Sequence, residues 1–292
     1  MQYSQHLRGG RMRHLEIYRY IQAIVESGSI RKASERFTIS PSALNRKLLA
    51  FESELGEPLF ERLGVGVRLS AAGEMYYRLI IDHLAAIEGA NESLSALKGL
   101  RIGHCAVAVS PELTQFLGRT TARFRERHPG VSMTFCQTAH DGFSDALLGR
   151  SADLALIAQP VFRPGIETVA TAISNLVAVT AQDGPPIALG HLAEYDMIFP
   201  PEGTGLRELI DVTFRRQNFS QRPAMVCGAL LTPQTCPRPS LQFWPAADLP
   251  EPARPLARPV VAKLVLARAE GRALPPAAEK LSLWLADALQ AL

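Results

Sequence analysis

The strongest constraint on the fold is the helix start at Ser40-Pro41, which a short turn separates from another short helix before it. A serine at the N-cap accepts a hydrogen bond from a backbone N–H of the first turn, and a proline at the first helical position loses no hydrogen bond. The helix is predicted to run to Leu55 and to end at Gly56, which can take the left-handed conformation. Two short helices joined in this way are used to place the second helix in the major groove of DNA.

Two helices are predicted before this one. Isoleucines at helical spacing predict a first helix over residues 15–27, and Ser29 is placed to cap a second over residues 30–37. The buried face of the third helix is predicted to carry Leu44, Leu48, Phe51 and Leu55. The N-terminal half of its other face is therefore left to enter a groove.

The exposed residues of the second and third helices are mostly basic or polar. Between Arg31 and Lys47, five side chains are basic and only Glu35 is acidic. This concentration suits a phosphate backbone, although an ordinary solvated helix face has the same composition. The predicted DNA contacts on these helices are Arg31, Lys32, Ser40, Ser42, Ala43, Asn45, Arg46 and Lys47.

Two of these side chains are candidates for reading bases. Asn45 suits an adenine edge, and Arg46 suits a guanine or a phosphate. A contact of either residue with the backbone alone would carry no sequence information. After the third helix, two short strands around a turn with Gly64 and Gly66 predict a wing, from which Arg62 and Arg68 are expected to contact the flanking backbone.

A long helix is predicted over residues 71–97, capped by Ser70. Its apolar residues follow a seven-residue repeat. The members of the repeat are Tyr76, Ile80, His83, Ile87, Ala90, Leu94 and Leu97. The repeat predicts a seam for the same helix of a second copy, which suits a symmetric DNA site. Packing of this face on the helix's own chain remains the alternative.

From about residue 99, strands alternate with helices, which predicts a mostly parallel sheet. Strands are predicted over 101–109, 131–135 and 153–158. Ligands of such sheets bind beyond the carboxyl ends of the strands, where helix N-termini present free N–H groups. Ser110, Thr138 and Gln159 occupy those ends.

The chain after Pro160 is predicted to form a second lobe, with a strand over 173–180 and a helix beginning near Leu206. Nine of the 21 prolines then fall within residues 223–259. Because proline removes a donor and interrupts both helix and sheet, this segment is predicted to be irregular and the second lobe to be remodelled. A strand and a final helix are predicted to resume after it.

Four segments of the chain together resemble the LysR-type transcriptional regulators. They are residues 31–37, 39–45, 55–62 with its Leu-Gly-x-x-Leu-Phe-x-Arg pattern, and 68–73. Two departures lie in the third helix: the family usually has Gln-Pro where this chain has Pro41-Ser42, and Ser where it has Asn45. The operator sequence therefore cannot be inferred from relatives.

The resemblance implies an α/β protein with a mainly α winged helix-turn-helix, a long linker helix, and a two-lobed effector domain like a periplasmic binding protein. The expected domains are residues 12–70, 71–98 and 99–292. The expected lobes of the last domain are residues 99–160 with 258–292, and residues 161–257.

The resemblance also implies partners. They are promoter DNA, further copies of the chain in a homodimer or homotetramer, a small-molecule inducer and, as a further candidate, RNA polymerase. The inducer cleft of the family lies between the lobes, where Ser110, Thr138 and Thr204 match its usual polar positions. Together with Gln159, these groups suit a small carboxylate or another polar metabolite, although each residue is equally placed to act only as a helix cap.

Other function classes have little support. The sequence has no nucleophile elbow, phosphate loop or zinc-protease motif, so we expect no enzyme, no cofactor and no metal. No apolar run reaches the roughly 18 residues of a membrane span, and the N-terminal segment lacks the apolar core of a secretory signal. The chain is therefore expected in the cytoplasm.

Two regulatory alternatives remain. A thiol-based redox sensor would use Cys227 and Cys236, which lie in the proline-rich segment, although neither has an evident thiolate-stabilising neighbour. A remodelled second lobe would instead leave a regulator that responds to no ligand.

Overall fold

The computed structural model divides the chain into two compact units, with the division between Asn91 and Glu92. It describes residues 13–64, 66–97, 103–138, 142–181, 184–231, 239–249 and 253–292. Within those ranges, no helix has both the length and the apolarity that crossing a bilayer requires.

The first unit consists of helices and one hairpin. Its elements are α1 (Arg13–Ser27), α2 (Ile30–Arg36), α3 (Pro41–Leu55), β1 (Phe60–Arg62), β2 (Val67–Leu69) and α4 (Ala71–Leu97), which continues past the division at Asn91. The hairpin is antiparallel and pairs Phe60 with Leu69. The three predicted helices and the predicted wing are therefore confirmed.

The core of the first unit collects the apolar faces of its helices. Ile21 and Ile24 of α1, Leu44 of α3 and Ile80 of α4 are fully buried. Phe51 and Leu55 of the predicted α3 stripe are half-buried and pack against this core.

The predicted dimer seam on α4 is wrong in its first half. Ile80 is fully buried in the core of its own unit, and Tyr76 packs against that core with its ring in edge contact with Phe51. His83 lies 6.0 Å from the ring of Tyr18 on α1. A seven-residue repeat cannot tell whether the apolar partner belongs to the same chain, and here α1 and α3 supply it.

The second unit alternates strands and helices. Its elements are β3 (Gly103–Val109), α5 (Thr114–Arg127), β4 (Val131–Gln137), α6 (Gly142–Leu148), β5 (Leu154–Ala158), β6 (Ile166–Val179), β7 (Asp196–Phe199), α7 (Gly205–Arg216), β8 (Met225–Val226), β9 (Ser240–Pro245), β10 (Arg254–Pro255), β11 (Val261–Ala269) and α8 (Pro276–Gln290).

The strands form one nine-stranded sheet in the order β4-β3-β5-β11-β6-β9-β7-β8, with β10 also paired to β6. β3 is parallel to β4 and β5, as predicted, whereas β11 is antiparallel to β5 and β6. The 14-residue β6 connects the two lobes of the unit, since residues 166–175 pair with β11 and residues 176–179 with β9.

The prediction that residues 223–259 are irregular is wrong over Ser240–Pro245. All six residues are buried in β9, which lies between β6 and β7 and brings Phe243 and Trp244 into the core. Proline is tolerated at strand ends, and Pro239 and Pro245 stand at the two ends of this strand. Residues 232–238 and 250–252 of the same segment lie outside the described residues.

Candidate DNA-reading surface and effector cleft

Local chemistry positions α3. Ser40 has an extended backbone (φ −71°, ψ 146°), and its Oγ accepts a hydrogen bond from the N–H of Ala43 at 3.2 Å. Pro41 occupies the first turn, and Gly56 ends the helix with φ 82°. Both predicted signals are therefore confirmed, and the helix N-terminus begins at the predicted residue.

The burial of Leu44 and Leu48 sets which residues α3 exposes. Ser40, Ser42, Arg46 and Lys47 are exposed, whereas Ala43 and Asn45 are half-buried. On α2, Arg31 and Lys32 are exposed. Six of the eight predicted contacts of α2 and α3 are therefore exposed, and the other two, Ala43 and Asn45, are only partly accessible.

The wing is attached to the helices by its backbone. Oε1 of Glu52 accepts hydrogen bonds from the N–H groups of Leu59 at 2.7 Å and Phe60 at 3.1 Å. At the other strand, the N–H of Val67 donates to the carbonyl of Gly28 at 3.0 Å. The hairpin is therefore held to α3 and to the turn between α1 and α2.

The structure also requires glycine in the turn of the wing and in the first turn of α4. A Cβ at Gly66 would lie 2.5 Å from the carbonyl oxygen of Gly28, and one at Gly73 would collide with the carbonyl of Leu59. Sequence reasoning missed Glu52 and Gly73 as wing supports. The available signal was the position of Glu52 between Leu48 and Leu55, on the inward side of α3.

Three of the predicted basic contacts already have partners within the unit. Nζ of Lys47 lies 3.1 Å from Oε2 of Glu16 and 5.3 Å from the ring centroid of Tyr20. A guanidinium nitrogen of Arg68 lies 2.7 Å from Oε2 of Glu61.

The third partnered residue is Arg62, whose Nη2 donates to Oδ1 of Asn45 at 3.3 Å. No ion pair within the described part of the chain involves Arg31, Lys32 or Arg46. These three charges need not give up an internal partner when they approach a phosphate.

The predicted effector residues of the second unit lie at strand ends, as expected. Ser110 follows β3 and is 4% exposed, and its Oγ accepts from the N–H of Ala158 at 3.3 Å. The N–H of Thr138, which follows β4, donates to the carbonyl of Val109 at 3.2 Å. Gln159 follows β5 with φ 52°, and its N–H donates to the carbonyl of Lys263 at 2.7 Å.

The fourth predicted residue, Thr204, caps α7. Its Oγ1 accepts from the N–H of Arg207 at 3.3 Å and donates to the carbonyl of Pro201 at 2.8 Å. A Cβ on the next residue, Gly205, would lie 2.6 Å from the carbonyl oxygen of Ala158. The N-terminus of α7 therefore lies against the end of β5, which brings Ser110, Gln159 and Thr204 around one stretch of backbone.

Each of these polar side chains has an internal partner in this state. Thr138 Oγ1 donates to the carbonyl of Cys136 at 3.2 Å, and Gln159 Nε2 donates to that of Val261 at 3.4 Å. Two cavities of the unit, of about 540 and 430 Å³, are lined by other residues, the first between α5 and β4 and the second beside the C-terminus of α7. The role of the four residues in binding an effector stays a prediction.

Sequence reasoning missed a pair of interacting buried carboxyl groups, Glu112 and Asp248, the first of which is hydrogen-bonded to Ser110. Burial, together with a smaller effect of the nearby Asp248 carboxylate, raises the pKa of Glu112 to about 7, against opposing hydrogen bonds from the backbone and from Ser110. Burial also raises the pKa of Asp248 to about 6, against the opposing hydrogen bonds from Trp244 Nε1 at 2.9 Å and the N–H of Phe116 at 2.6 Å. Asp248 thereby connects the segment after β9 to the start of α5.

Comparisons with known proteins match both units. Residues 15–74 match the family model described as "Bacterial regulatory helix-turn-helix protein, lysR family", and residues 98–234 match "LysR substrate binding domain". A "RuBisCO operon transcriptional regulator" of Allochromatium vinosum is 30% identical over 71% of this chain and 70% of its own length. One of the same name from Acidithiobacillus ferrooxidans is 25% identical over 75% and 73%.

Solved structures share the fold. CbnR, a LysR family transcriptional regulator, superposes with a TM-score of 0.64 at 20% identity, covering 94% of this chain and 99% of its own. A full-length OxyR variant from Pseudomonas aeruginosa reaches 0.66 at 18% identity, covering 97% and 96%. At these identities the likeness concerns the fold alone.

Proposed function

This chain belongs to the family of LysR-type transcriptional regulators, and on that premise we propose which of its residues read DNA and which bind the effector. The first unit carries the DNA-binding helix-turn-helix and the second carries the effector-binding domain of the family. We propose further that the chain catalyses no reaction and acts in the cytoplasm, where a bacterial regulator reaches its promoter.

The proposed reading element is the N-terminal half of α3. The observation that carries this assignment is the exposed surface formed by Ser40, Ser42 and Arg46 at the capped helix start. A guanidinium without an internal ion-pair partner can contact a guanine edge or a phosphate at no cost in broken contacts. Arg31 and Lys32 on α2 add charge that suits the phosphate backbone.

Lys47, Arg62 and Arg68 have a secondary role in this proposal. The ammonium of Lys47 is already partly neutralised by Glu16, and the guanidinium of Arg68 by Glu61. A phosphate contact must compete with these pairs, so each contributes less affinity than a charge without such a partner.

A symmetric dimer would bind DNA with two reading helices, so we assign the contact with the second copy to α4. Residues 75–94 retain an exposed apolar stripe after the core of the unit has taken Tyr76 and Ile80. Its members are Met75, Leu79, Ala86, Ala90 and Leu94. The proposed seam is displaced around the helix from the predicted one in its first half, whereas Ala90 and Leu94 belong to both, and the side chain of Leu97 lies outside the described residues. RNA polymerase is a further partner of the proposed promoter complex.

The proposed effector is a small carboxylate or another polar metabolite. The supporting observation is that the ends of β3, β4 and β5 and the N-terminus of α7 meet, so that hydroxyl and backbone N–H groups converge. Such groups suit an anion. Ser110, Thr138, Gln159 and Thr204 are the proposed contacts.

DNA binding is tested by footprinting the full chain on the region upstream of its own gene. A RuBisCO operon promoter is the second target, because two similar relatives regulate such operons. We expect protection of a symmetric site and at least tenfold weaker binding to scrambled duplex at moderate salt. Equal binding to both duplexes would overturn the proposal.

Effector binding is tested by calorimetry against a panel of carboxylate metabolites. A saturable heat in the wild type that Thr138→Val abolishes would support the site. Thr171→Val, at an exposed position of β6, is the matched control and should bind normally. A wild type that gives no saturable heat would favour the ligand-independent alternative.

The redox alternative is tested separately. Cys227 is half-buried, and Cys236 lies outside the described residues. Thiol counting after peroxide treatment should return the same number of free thiols as before. A loss of two thiols would favour the sensor.

A further inference from the structure

The wing and the reading helix touch at one polar contact. Arg62, at the end of β1, donates from Nη2 to Oδ1 of Asn45 in the second turn of α3, at 3.3 Å. Asn45 is half-buried, whereas Arg62 is exposed. The two residues are 17 positions apart, so the contact depends on how the wing is placed against α3.

The position of Arg62 is set by the backbone of the hairpin. Arg62 pairs with Val67, and the N–H of Val67 donates to the carbonyl of Gly28. Glu52 of α3 holds the entry to the same strand through the N–H groups of Leu59 and Phe60. The guanidinium therefore reaches Asn45 from a hairpin that is hydrogen-bonded both to α3 and to the turn between α1 and α2.

The chemistry of the contact determines which way the amide of Asn45 faces. Every polar hydrogen-bonding atom of a guanidinium is a donor, so the amide must turn its oxygen, an acceptor, toward Arg62. The oxygen keeps a second lone pair but faces the wing, so the group turned away from Arg62 is the amide nitrogen Nδ2 with its two donors. The side chain is thereby presented as a hydrogen-bond donor.

This orientation changes what Asn45 can read. A bidentate contact with adenine needs the amide oxygen and nitrogen together, to meet N6 and N7 of the base. An amide that presents only its two donors instead suits guanine, which has two acceptors, O6 and N7, in the major groove, whereas adenine has N7 beside the N6 amino donor. We infer that Arg62 is a positioning residue for base specificity, which holds Asn45 as a donor and so favours guanine over adenine at the base it contacts.

The inference rests on the proposed function of α3 and is tested by selection of bound duplexes from a random-sequence pool. Full-length wild type, Asn45→Ala, Arg62→Ala, Arg62→Lys and Arg68→Ala are compared. The position read by Asn45 is the one at which Asn45→Ala loses its base preference. The wild type should enrich guanine at that position.

Removal of the guanidinium should free the amide for bidentate contact. Arg62→Ala is expected to raise the ratio of adenine to guanine at that position by about fivefold or more. Arg62→Lys keeps a donor facing the amide oxygen and should restore the wild-type preference. Thermal unfolding of each variant shows that the first unit remains folded.

Arg68→Ala is the matched control because Arg68 lies on the neighbouring strand and pairs with Glu61. It should weaken binding to all sequences and leave every base preference unchanged. A merely structural role of Arg62 would give the same uniform loss in Arg62→Ala, and that result would overturn the inference.

Two other results of the selection experiment would also test the inference. Adenine enriched by the wild type at the Asn45 position would contradict the inference while leaving the reading helix in place. A wild-type pool without any enriched sequence would overturn the proposed function, and the inference with it.

Discussion

The proposed DNA-reading surface and the proposed effector cleft use polar residues in opposite ways. On α3, Ser42 and Arg46 are exposed, and their removal leaves the core of the first unit intact. At the strand ends of the second unit, Ser110 is buried and its hydroxyl is bonded to the backbone of β5. The comparison indicates that the first site can be altered without loss of stability, whereas the second site is also part of the fold.

The largest expected effect concerns the buried Glu112. Its pKa is raised to about 7 in the folded state, so the folded state binds a proton that the unfolded state has released. Stability should therefore fall as pH rises from about 4.5 to 7, and the loss should reach about 3 kcal/mol. Glu112→Gln should remove this loss and make the second unit more stable than wild type at pH 7.5.

Urea denaturation at pH 4.5 and pH 7.5 measures this effect. A smaller slope of the same sign should remain in the variant, because the pKa of Asp248 is also raised. Glu270→Gln, at an exposed residue of the same unit, is the control and should follow the wild type. If Glu112→Gln is less stable than wild type at pH 7.5, the buried carboxyl is not the cause of the pH dependence.

The next effect concerns the contact between α7 and β5. Gly205→Ala places a Cβ 2.6 Å from the carbonyl oxygen of Ala158 and should lower the free energy of unfolding of the second unit by about 1–3 kcal/mol. Gly118→Ala on α5 is matched, since nothing lies within 4 Å of its Cβ, and should be neutral or slightly stabilising. Similar losses of stability in both variants would show that the close contact of Gly205 with Ala158 is not the cause.

On the DNA-reading surface, substitutions should weaken DNA binding rather than lower stability. Arg46→Ala should weaken specific binding by about 1–3 kcal/mol if the side chain contacts a base, and leave the unfolding curve unchanged. Lys47→Ala is the neighbouring control with a smaller expected loss, because Glu16 already partners that charge. Fluorescence anisotropy on specific and random duplexes checks both. An equal loss on random DNA would make Arg46 a phosphate contact.

The smallest expected effect is a difference in stability between substitutions of two serines, one at each site. Ser110→Ala leaves the N–H of Ala158 without its side-chain acceptor and should cost about 1 kcal/mol of stability. Ser42→Ala, at an exposed position, should change stability by less than about 0.5 kcal/mol. Thermal unfolding of the two variants checks the pair, and equal effects would show that the two surfaces do not differ as proposed.

Much of the fold was accessible from the sequence because its signals are local. The cap at Ser40, the proline at the first turn and the glycine at 56 each act within a few residues, so they place α3 without knowledge of the rest. The alternation of strands and helices placed Ser110, Thr138 and Gln159 at strand ends by the same kind of reasoning. The apolar periodicity of α4 was correct in showing a helix, but it did not show which chain covers its buried face.

What only the tertiary structure decided depends on contacts between residues far apart in the chain. The strand Ser240–Pro245 is central because β6 and β7 lie on either side of it, and the surrounding prolines conceal that in the sequence. Asp248 meets the N–H of Phe116 across 132 residues, and Arg62 meets Asn45 across 17. Capping and periodicity act within one element, whereas strand order, buried charge and the orientation of a side-chain amide are set by which elements pack together.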